Sequence, residues 1–216
     1  MTKNFERYIE LMKERPEEFD NSDAEYIIIT DPDRIAKFES ETGKTIGVVY
    51  ESPWHIMLVD LVTPDNKKFF TYERILPAVK KGAAAALTMC GEDFIMLKQY
   101  RHALRGFQYC FPRGFAEKGL SPEENLRKEL SEELSTRPED IENIKFLGTV
   151  IADSGLSGVN VNVYLCKINA YKTNEHHEGI RKVEVFSRSE LYKLIRECKI
   201  TDGFTLSALQ LLNSLE

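Results

Sequence analysis

The sequence predicts an α+β or layered αβα fold, and three observations carry that reading. Short apolar runs with strand character are spread along the whole chain. One glutamate-rich helix, capped by Ser121, separates two groups of those strands. Two further helical segments close the chain. Strands, one helix, more strands and a last helix suit a sheet covered by helices on one face or on both.

The elements follow in order. Residues 3–14 form an amphipathic helix through Phe5, Tyr8, Ile9 and Met12, stopped by Pro16. Tyr26 to Thr30 is a short β-rich run. Asp31 with Pro32 opens a second helix that closes near Gly43. Ile46 to Tyr50, His55 to Val62 and Lys68 to Leu76 read as strands, with Pro64-Asp65-Asn66 turning between the last two. Ala83 to Leu87 and Phe94 to Arg101 are strands, as are Phe146 to Ala152 and Val159 to Ile168. Ser187 to Glu197, beginning near Ser189, and Phe204 to Leu215 are helices. No internal repeat or low-complexity stretch appears.

Composition narrows the function. A chain of 216 residues, 42% hydrophobic, can bury a sizeable core as one large domain or a domain with a subdomain. A net charge of −6 argues against a general nucleic-acid binder, which needs a basic stripe to neutralise phosphates. No long apolar run suggests a membrane span, and the charged start MTKNFERYIELMKERPEEF lacks the apolar stretch of a secretory signal. Cys90, Cys110, Cys166 and Cys198 stand singly, without Cys-x-x-Cys spacing. They read as buried free thiols in a reducing compartment, and the expected location is cytoplasmic.

The most informative stretch is GFAEKGLSPEENLRKELSEE, Gly114 to Glu133. Ser121 is a good N-cap, Pro122 suits the first helical position, and Glu124 completes a capping box. At about 100° per residue, Leu126, Leu130 and Leu134 form one apolar stripe. Glu129, Glu132 and Glu133 lie together on its flank. Like charges this close oppose the helix by roughly 0.2–0.5 kcal/mol per i,i+4 contact. Either the glutamates form a solvated acidic face, or they line a cleft in which a divalent cation removes the repulsion. Oxygen-only carboxylate donors are those that Mg²⁺ or Mn²⁺ prefers.

This stretch resembles the Nudix box: Gly, five residues, Glu, seven residues, then Arg-Glu-aliphatic-any-Glu-Glu-any-Gly. Gly114 fits the first glycine, and Glu129, Leu130, Glu132 and Glu133 fit the second half. Three positions depart: Leu120 stands for the first Glu, Lys128 for the Arg, and Ser135 for the last Gly. Beyond the box, Phe94-Ile95-Met96-Leu97-Lys98-Gln99-Tyr100-Arg101 and Phe111-Pro112-Arg113-Gly114-Phe115 resemble segments of ADP-ribose pyrophosphatases. So do Glu178-Gly179-Ile180, Lys199-Ile200-Thr201-Asp202 and Ala208-Leu209.

The resemblance implies a Nudix αβα sandwich with a mixed β-sheet over residues 78–216, plus an N-terminal β-rich subdomain over residues 1–77. In relatives such an element packs on a partner subunit and helps form the adenosine site, so a homodimer is expected. The implied activity is Mg²⁺-dependent hydrolysis of a nucleoside diphosphate linked to another moiety, ADP-ribose first. A catalytically weak or silent domain that binds a nucleotide or regulates a partner is the rival, on the strength of Leu120, Lys128 and Ser135.

The resemblance also assigns roles. Glu129, Glu132 and Glu133, with the backbone carbonyl of Arg113, would ligate Mg²⁺, with Mn²⁺ as the alternative. The base comes from the loop Tyr171 to Gly179, where Glu178 and Glu175 are candidates and His176 and His177 have suitable chemistry; Glu129 on the box helix is the other choice. Read from the residues themselves, Arg101, which follows an apolar strand and ends the Gln-Tyr-Arg run, is a candidate phosphate clamp with Lys81 as a second, or both are strand-end surface charges; Trp54, with Tyr72 or Phe70, either stacks on a base or packs in the core or a dimer. Loss of the family's supporting Glu–Arg contact at Leu120 and Lys128 implies a weakened or retuned site, with Glu117 in the same loop as a partial substitute.

Overall fold

The computed structural model describes residues 2–172 and 177–215. The chain divides into two compact units. One holds residues 1–80 together with Asp153–Val159, and the other holds 81–152 and 160–216.

The N-terminal unit begins with α1 (Lys3–Glu14), capped by Thr2; of its predicted stripe Phe5 and Tyr8 are buried and Ile9 and Met12 half-buried, while Leu11, outside that stripe, is buried as well. The strand β1 is only Ile27–Ile28, shorter than the apolar run Tyr26 to Thr30 suggests. The side chain of Asn21 accepts from the Ile28 N–H and donates to its carbonyl, so these two groups are satisfied outside the ladder, while the Ile29 N–H donates to the Leu61 carbonyl at 2.8 Å. Helix α2 (Pro32–Thr42) is capped by Asp31 and stops at Gly43, as predicted. Strands β2 (Gly47–Glu51), β3 (His55–Thr63) and β4 (Phe70–Pro77) complete a four-stranded antiparallel sheet with β3 at its centre. The loop Asp153–Val159 joins this unit through the Tyr72 hydroxyl, which donates to the Gly155 carbonyl at 2.7 Å, and a bridge between Ile75 and Ser157.

One charged group lies inside that apolar core. Asp60 is 2% exposed, accepts from the Tyr8 hydroxyl, and pairs with Arg74 Nε at 2.5 Å. Burial first, and the Asp60 carboxylate second, push the Tyr8 hydroxyl well above its usual range, so it remains a donor. The Arg74 guanidinium also lies over the Phe19 ring at 5.1 Å.

The second unit is built on a seven-stranded mixed sheet of order β11-β6-β5-β10-β9. Its strands are β5 (Ala84–Cys90), β6 (Asp93–Arg101), β7 (Gly106–Cys110), β8 (Arg113–Gly114), β9 (Ile141–Ile151), β10 (Asn160–Ile168) and β11 (Ile180–Phe186). β5 and β10 run parallel, and the other pairs are antiparallel. β7 is unforeseen, because Gly106–Cys110 is short and lacks clean alternation. β9 starts at Ile141 rather than Phe146, since Ile141 and Ile144 extend the buried side past the polar residues between them.

Period-two alternation sorts the core into two layers. Ala84, Ala86, Ile95 and Leu97 face α3 (Pro122–Leu134) and its Leu126, Leu130 and Leu134. Leu87, Phe94 and Met96 face the other way, against Leu191 of α4 (Arg188–Arg196) and Ala208, Leu209 and Leu212 of α5 (Gly203–Asn213). Helices therefore cover both faces of a mixed sheet, an αβα sandwich. α4 starts at Arg188 because Ser187 and Glu190 form a full capping box, one turn position earlier than expected.

All four cysteines are free. Cys110 and Cys166 are buried and Cys90 is half-buried. Cys198 is exposed, contrary to the expectation of burial, because it falls in the turn after α4 with φ 54°. Among the described residues no helix is long and apolar enough to cross a membrane.

The Asp60 cluster generates a test of the N-terminal unit. Arg74→Met keeps the stem that packs but strands the buried carboxylate. It should lower the unfolding free energy by about 3 kcal/mol, read from the urea midpoint at neutral pH. A shift below about 0.5 kcal/mol would mean that Asp60 has other support.

Candidate active site

The sheet splits where the site forms. β5 and β6 pair only through Thr88–Cys90 and Asp93–Ile95. Beyond that point β6 pairs with β7, and β5 pairs with β8. The connection Phe111-Pro112 between β7 and β8 crosses this split. The Pro112 carbonyl accepts from Ala86 N–H at 2.8 Å, which fixes the turn on β5.

α3 docks over that turn. Its leucines are fully buried, and each contributes about 1.5–3 kcal/mol. That outweighs the few tenths of a kcal/mol of repulsion between neighbouring glutamates, so the stripe decides where the carboxylates go. Ser121 and Glu124 form the predicted capping box. Asn125 is fully buried and its Nδ2 donates to the carbonyls of Gly82 at 3.1 Å and Phe115 at 2.8 Å. This pins the loop after Gly114 to the helix. Ser135, where the box has glycine, adopts the left-handed conformation at φ 51° that a glycine would take more easily.

Glu129 and Glu133 are carried into the interior, 8% and 1% exposed. The Glu133 carboxylate accepts from the Arg113 backbone N–H at 3.2 Å. Glu129 lies so close to Gly114 that a Cβ there would stand 1.8 Å from Oε1. The glycine is needed for this close approach rather than for its φ. Burial, then Glu178 and Glu132, push the Glu129 carboxyl up to about 7. Burial, then Glu129, push Glu133 up to about 8, against the Arg113 N–H and Arg101, which pull it down.

Other predicted residues divide between those brought to this pair and those not. Glu178 is near enough to raise both carboxyls. Arg101, at the end of β6, acts on Glu133, donates from Nη2 to Cys110 Sγ at 3.1 Å, and has a buried Nε without a partner among the described residues. Glu132 is half-exposed and pairs with Lys128 Nζ at 3.3 Å. Among the described residues no three His, Cys, Asp or Glu side chains are gathered closely enough to hold a metal ion. Lys81 is exposed in the bend before β5. Trp54 belongs to the N-terminal unit and is 53% exposed. Glu175, His176 and the side chain of His177 lie outside the described residues.

The altered box has its own wiring. Leu120 is half-buried and carries no charge, but Glu117, in the same turn, meets Lys128 Nζ at 2.5 Å. A carboxylate–cation contact is thus formed beside the helix from one different position. Arg113 is held by Asp202 at 2.9 Å and stacks on Phe204 at 4.7 Å, while Asp202 caps α5 through the Thr205 N–H. Asp202, Asn125, Gln99 and Cys110 all serve the site and were missed as site residues. Gln99 was findable, since it shares the alternation that brings Ile95, Leu97 and Arg101 to the α3 face.

A mixed sheet between helical layers, with a helix that buries two carboxylates against a Pro-Arg-Gly turn, defines an αβα protein with an acidic-helix site. Residues 79–204 match the model of the NUDIX domain, and the chain belongs to the Nudix hydrolase family. A solved structure titled as that of an ADP compounds hydrolase has the same fold, with TM-score 0.64 and 16% identity over 79% of this chain and 91% of that one. No curated protein matches the sequence.

The raised carboxyls make stability depend on pH in a definite direction. In the folded protein Glu129 and Glu133 hold protons up to about 7 and 8, whereas unfolded glutamates lose them near 4.5. The folded state therefore binds more protons across that window. Their contribution is full below the unfolded value and is lost as pH rises through the folded ones. In chelator, the unfolding free energy should fall by more than about 1.4 kcal/mol, one pKa unit's worth, between roughly pH 5 and 8. Glu133→Gln should remove much of that slope, and a flat wild-type profile would contradict the burial of the pair.

Proposed function

We propose that the chain is a divalent-cation-dependent pyrophosphohydrolase of nucleoside diphosphates linked to another moiety. ADP-ribose, cleaved to AMP and ribose 5-phosphate, is the favoured substrate, and other nucleoside diphosphate sugars are the sister class. One observation carries the reading: Glu129 and Glu133 are buried on one helix face, Glu129 in the room that Gly114 leaves and Glu133 against the Arg113 N–H. Two acids whose ionisation burial opposes suit a site completed by a hard cation, because oxygen donors are its ligands and its charge reverses both shifts.

Glu129, Glu133 and Glu132, with the Arg113 carbonyl, are the proposed holders of Mg²⁺, or of Mn²⁺ in its place. Bound there, the cation would neutralise charge on the pyrophosphate oxygens. Arg101, whose buried Nε has no partner among the described residues and which pulls the Glu133 carboxyl down, is the proposed phosphate clamp, with Lys81 as the second candidate. Water adds to one phosphorus as the bridging oxygen leaves, and its proton goes to Glu178, with Glu175 and Glu129 as the alternative bases. Trp54 is the proposed stacking surface for a base. The N-terminal unit is the proposed dimerisation element, since β2 is an edge strand with Val49 and Tyr50 exposed. No nucleic acid or membrane partner is proposed, and the location is taken as cytoplasmic.

The second reading, a weak or silent nucleotide-binding domain, draws on Lys128, which engages Glu132. The same measurement separates the two. Purified protein with Mg²⁺ should release AMP from ADP-ribose, and Glu133→Gln should lower that rate by at least about 100-fold with the fold intact. Wild-type turnover in that variant at limiting Mg²⁺ would reject the assignment, and binding without turnover in the wild type would favour the silent reading. Light scattering at micromolar concentration should give a dimer mass, and a monomer mass would remove the proposed role of the N-terminal unit.

A further inference from the structure

Gln99 is 2% exposed, and both ends of its carboxamide are engaged. Nε2 donates to the backbone carbonyl of Glu178 at 3.0 Å. Oε1 accepts from the Cys110 thiol at 3.4 Å. Cys110 Sγ in turn accepts from Arg101 Nη2 at 3.1 Å. Burial raises the Cys110 thiol, which keeps the proton it donates. A continuous chain of contacts thus runs from Arg101 through Cys110 and Gln99 to the main chain of Glu178.

The far end of that chain is a backbone that would not hold its shape alone. Glu178 is left-handed, with φ 46° and ψ 32°, which costs a non-glycine residue about 1–2 kcal/mol. Gly179 follows at φ 78°, packed so that a Cβ would meet the Tyr100 carbonyl at 3.3 Å. Ile180 then enters the β11–β6 ladder opposite Gln99, and a register shift follows before Lys182 pairs with Lys98. Strained residues beside a bulge persist where neighbours over-determine them. Among the described residues, the Gln99 bond is a side-chain contact made to this turn.

We propose that Gln99 is a positioning residue: its carboxamide holds the turn carrying Glu178 on the sheet and, through Cys110, links that turn to Arg101. This rests on the reading above, in which Glu178 and Arg101 serve pyrophosphate hydrolysis. Tethering the main chain fixes where the carboxylate stands, while Cys110 fixes the guanidinium's approach. A substrate phosphate on Arg101 and a base on Glu178 would then keep one spacing.

Gln99→Met keeps shape and removes both bonds; Gln99→Asn, too short to span them, serves if the first variant folds poorly. Two readouts are taken with the full chain. Amide hydrogen exchange across residues 177–182 should quicken about tenfold or more, with α3 unchanged. With ADP-ribose and Mg²⁺, kcat should fall about 10- to 100-fold with KM nearly constant. Cys110→Ala should instead raise KM, and Cys110→Ser, which can donate and accept at the same place, should restore it. In a Glu178→Gln background, Gln99→Met should leave kcat where Glu178→Gln put it. Unchanged exchange overturns the tether. Faster exchange with unchanged kcat overturns its role in catalysis, and an equal fall in kcat in the Glu178→Gln background overturns its action through Glu178. Absence of hydrolysis by the wild type overturns the proposed function instead, and the exchange measurement alone then upholds or overturns the tether.

Discussion

Two carboxylates forced into the same desolvated corner set the terms for the rest of the second unit. Glu129 and Glu133 arrive there because the leucines one position further along α3 must be buried, and a helix cannot bury one edge of a stripe without its flank. Everything adjoining answers that placement. Gly114 gives up a side chain, the Arg113 N–H donates to Glu133, and Asn125 ties the following loop to the helix. The split of β5 from β6 makes room for the turn. Removing the leucine stripe would leave these adjustments without a cause.

Electrostatic order around the pair is graded by distance from solvent. The inner carboxylates have backbone N–H and an arginine as company, whereas the outer Glu132 shares Lys128 with Glu117. The outer contacts are over a third exposed, so they contribute little to stability and act by orienting side chains. A family position that lost its charge at Leu120 is thus compensated in space but not in sequence. The compensation comes three residues earlier, where a turn returns the chain to the same helix face.

Much of this was legible in the residues themselves. The helices α1, α2 and α3 were fixed by caps and stripes that are purely local: Asp31-Pro32 with Gly43, and Ser121-Pro122 with Glu124. Arg101, singled out because it follows an apolar strand and ends the Gln-Tyr-Arg run, does act on Glu133. What stayed hidden needed long-range knowledge. β7 exists because β6 has an unpaired edge after Ile95, and the outer backbone groups of β1 are met by Asn21, seven residues before Ile28. Glu117 looked like one loop acid among several until the turn Glu117–Leu120 brought it to Lys128. Asn125 reads in sequence as a helix-surface amide, and only the packing of the loop over it makes it a fully buried anchor.

The loop Asp153–Val159 lies between two strands of the second unit yet is counted with the first. Its contacts, Tyr72 to Gly155 and Ile75 beside Ser157, supply part of the N-terminal unit from a point far downstream. During synthesis, then, the first unit to emerge is not the first that can be finished. Its four-stranded sheet can pair early, but the contacts from Asp153–Val159 are added only after the glutamate helix and most of the second sheet. The same arrangement means that the N-terminal unit is not a contiguous piece of the gene.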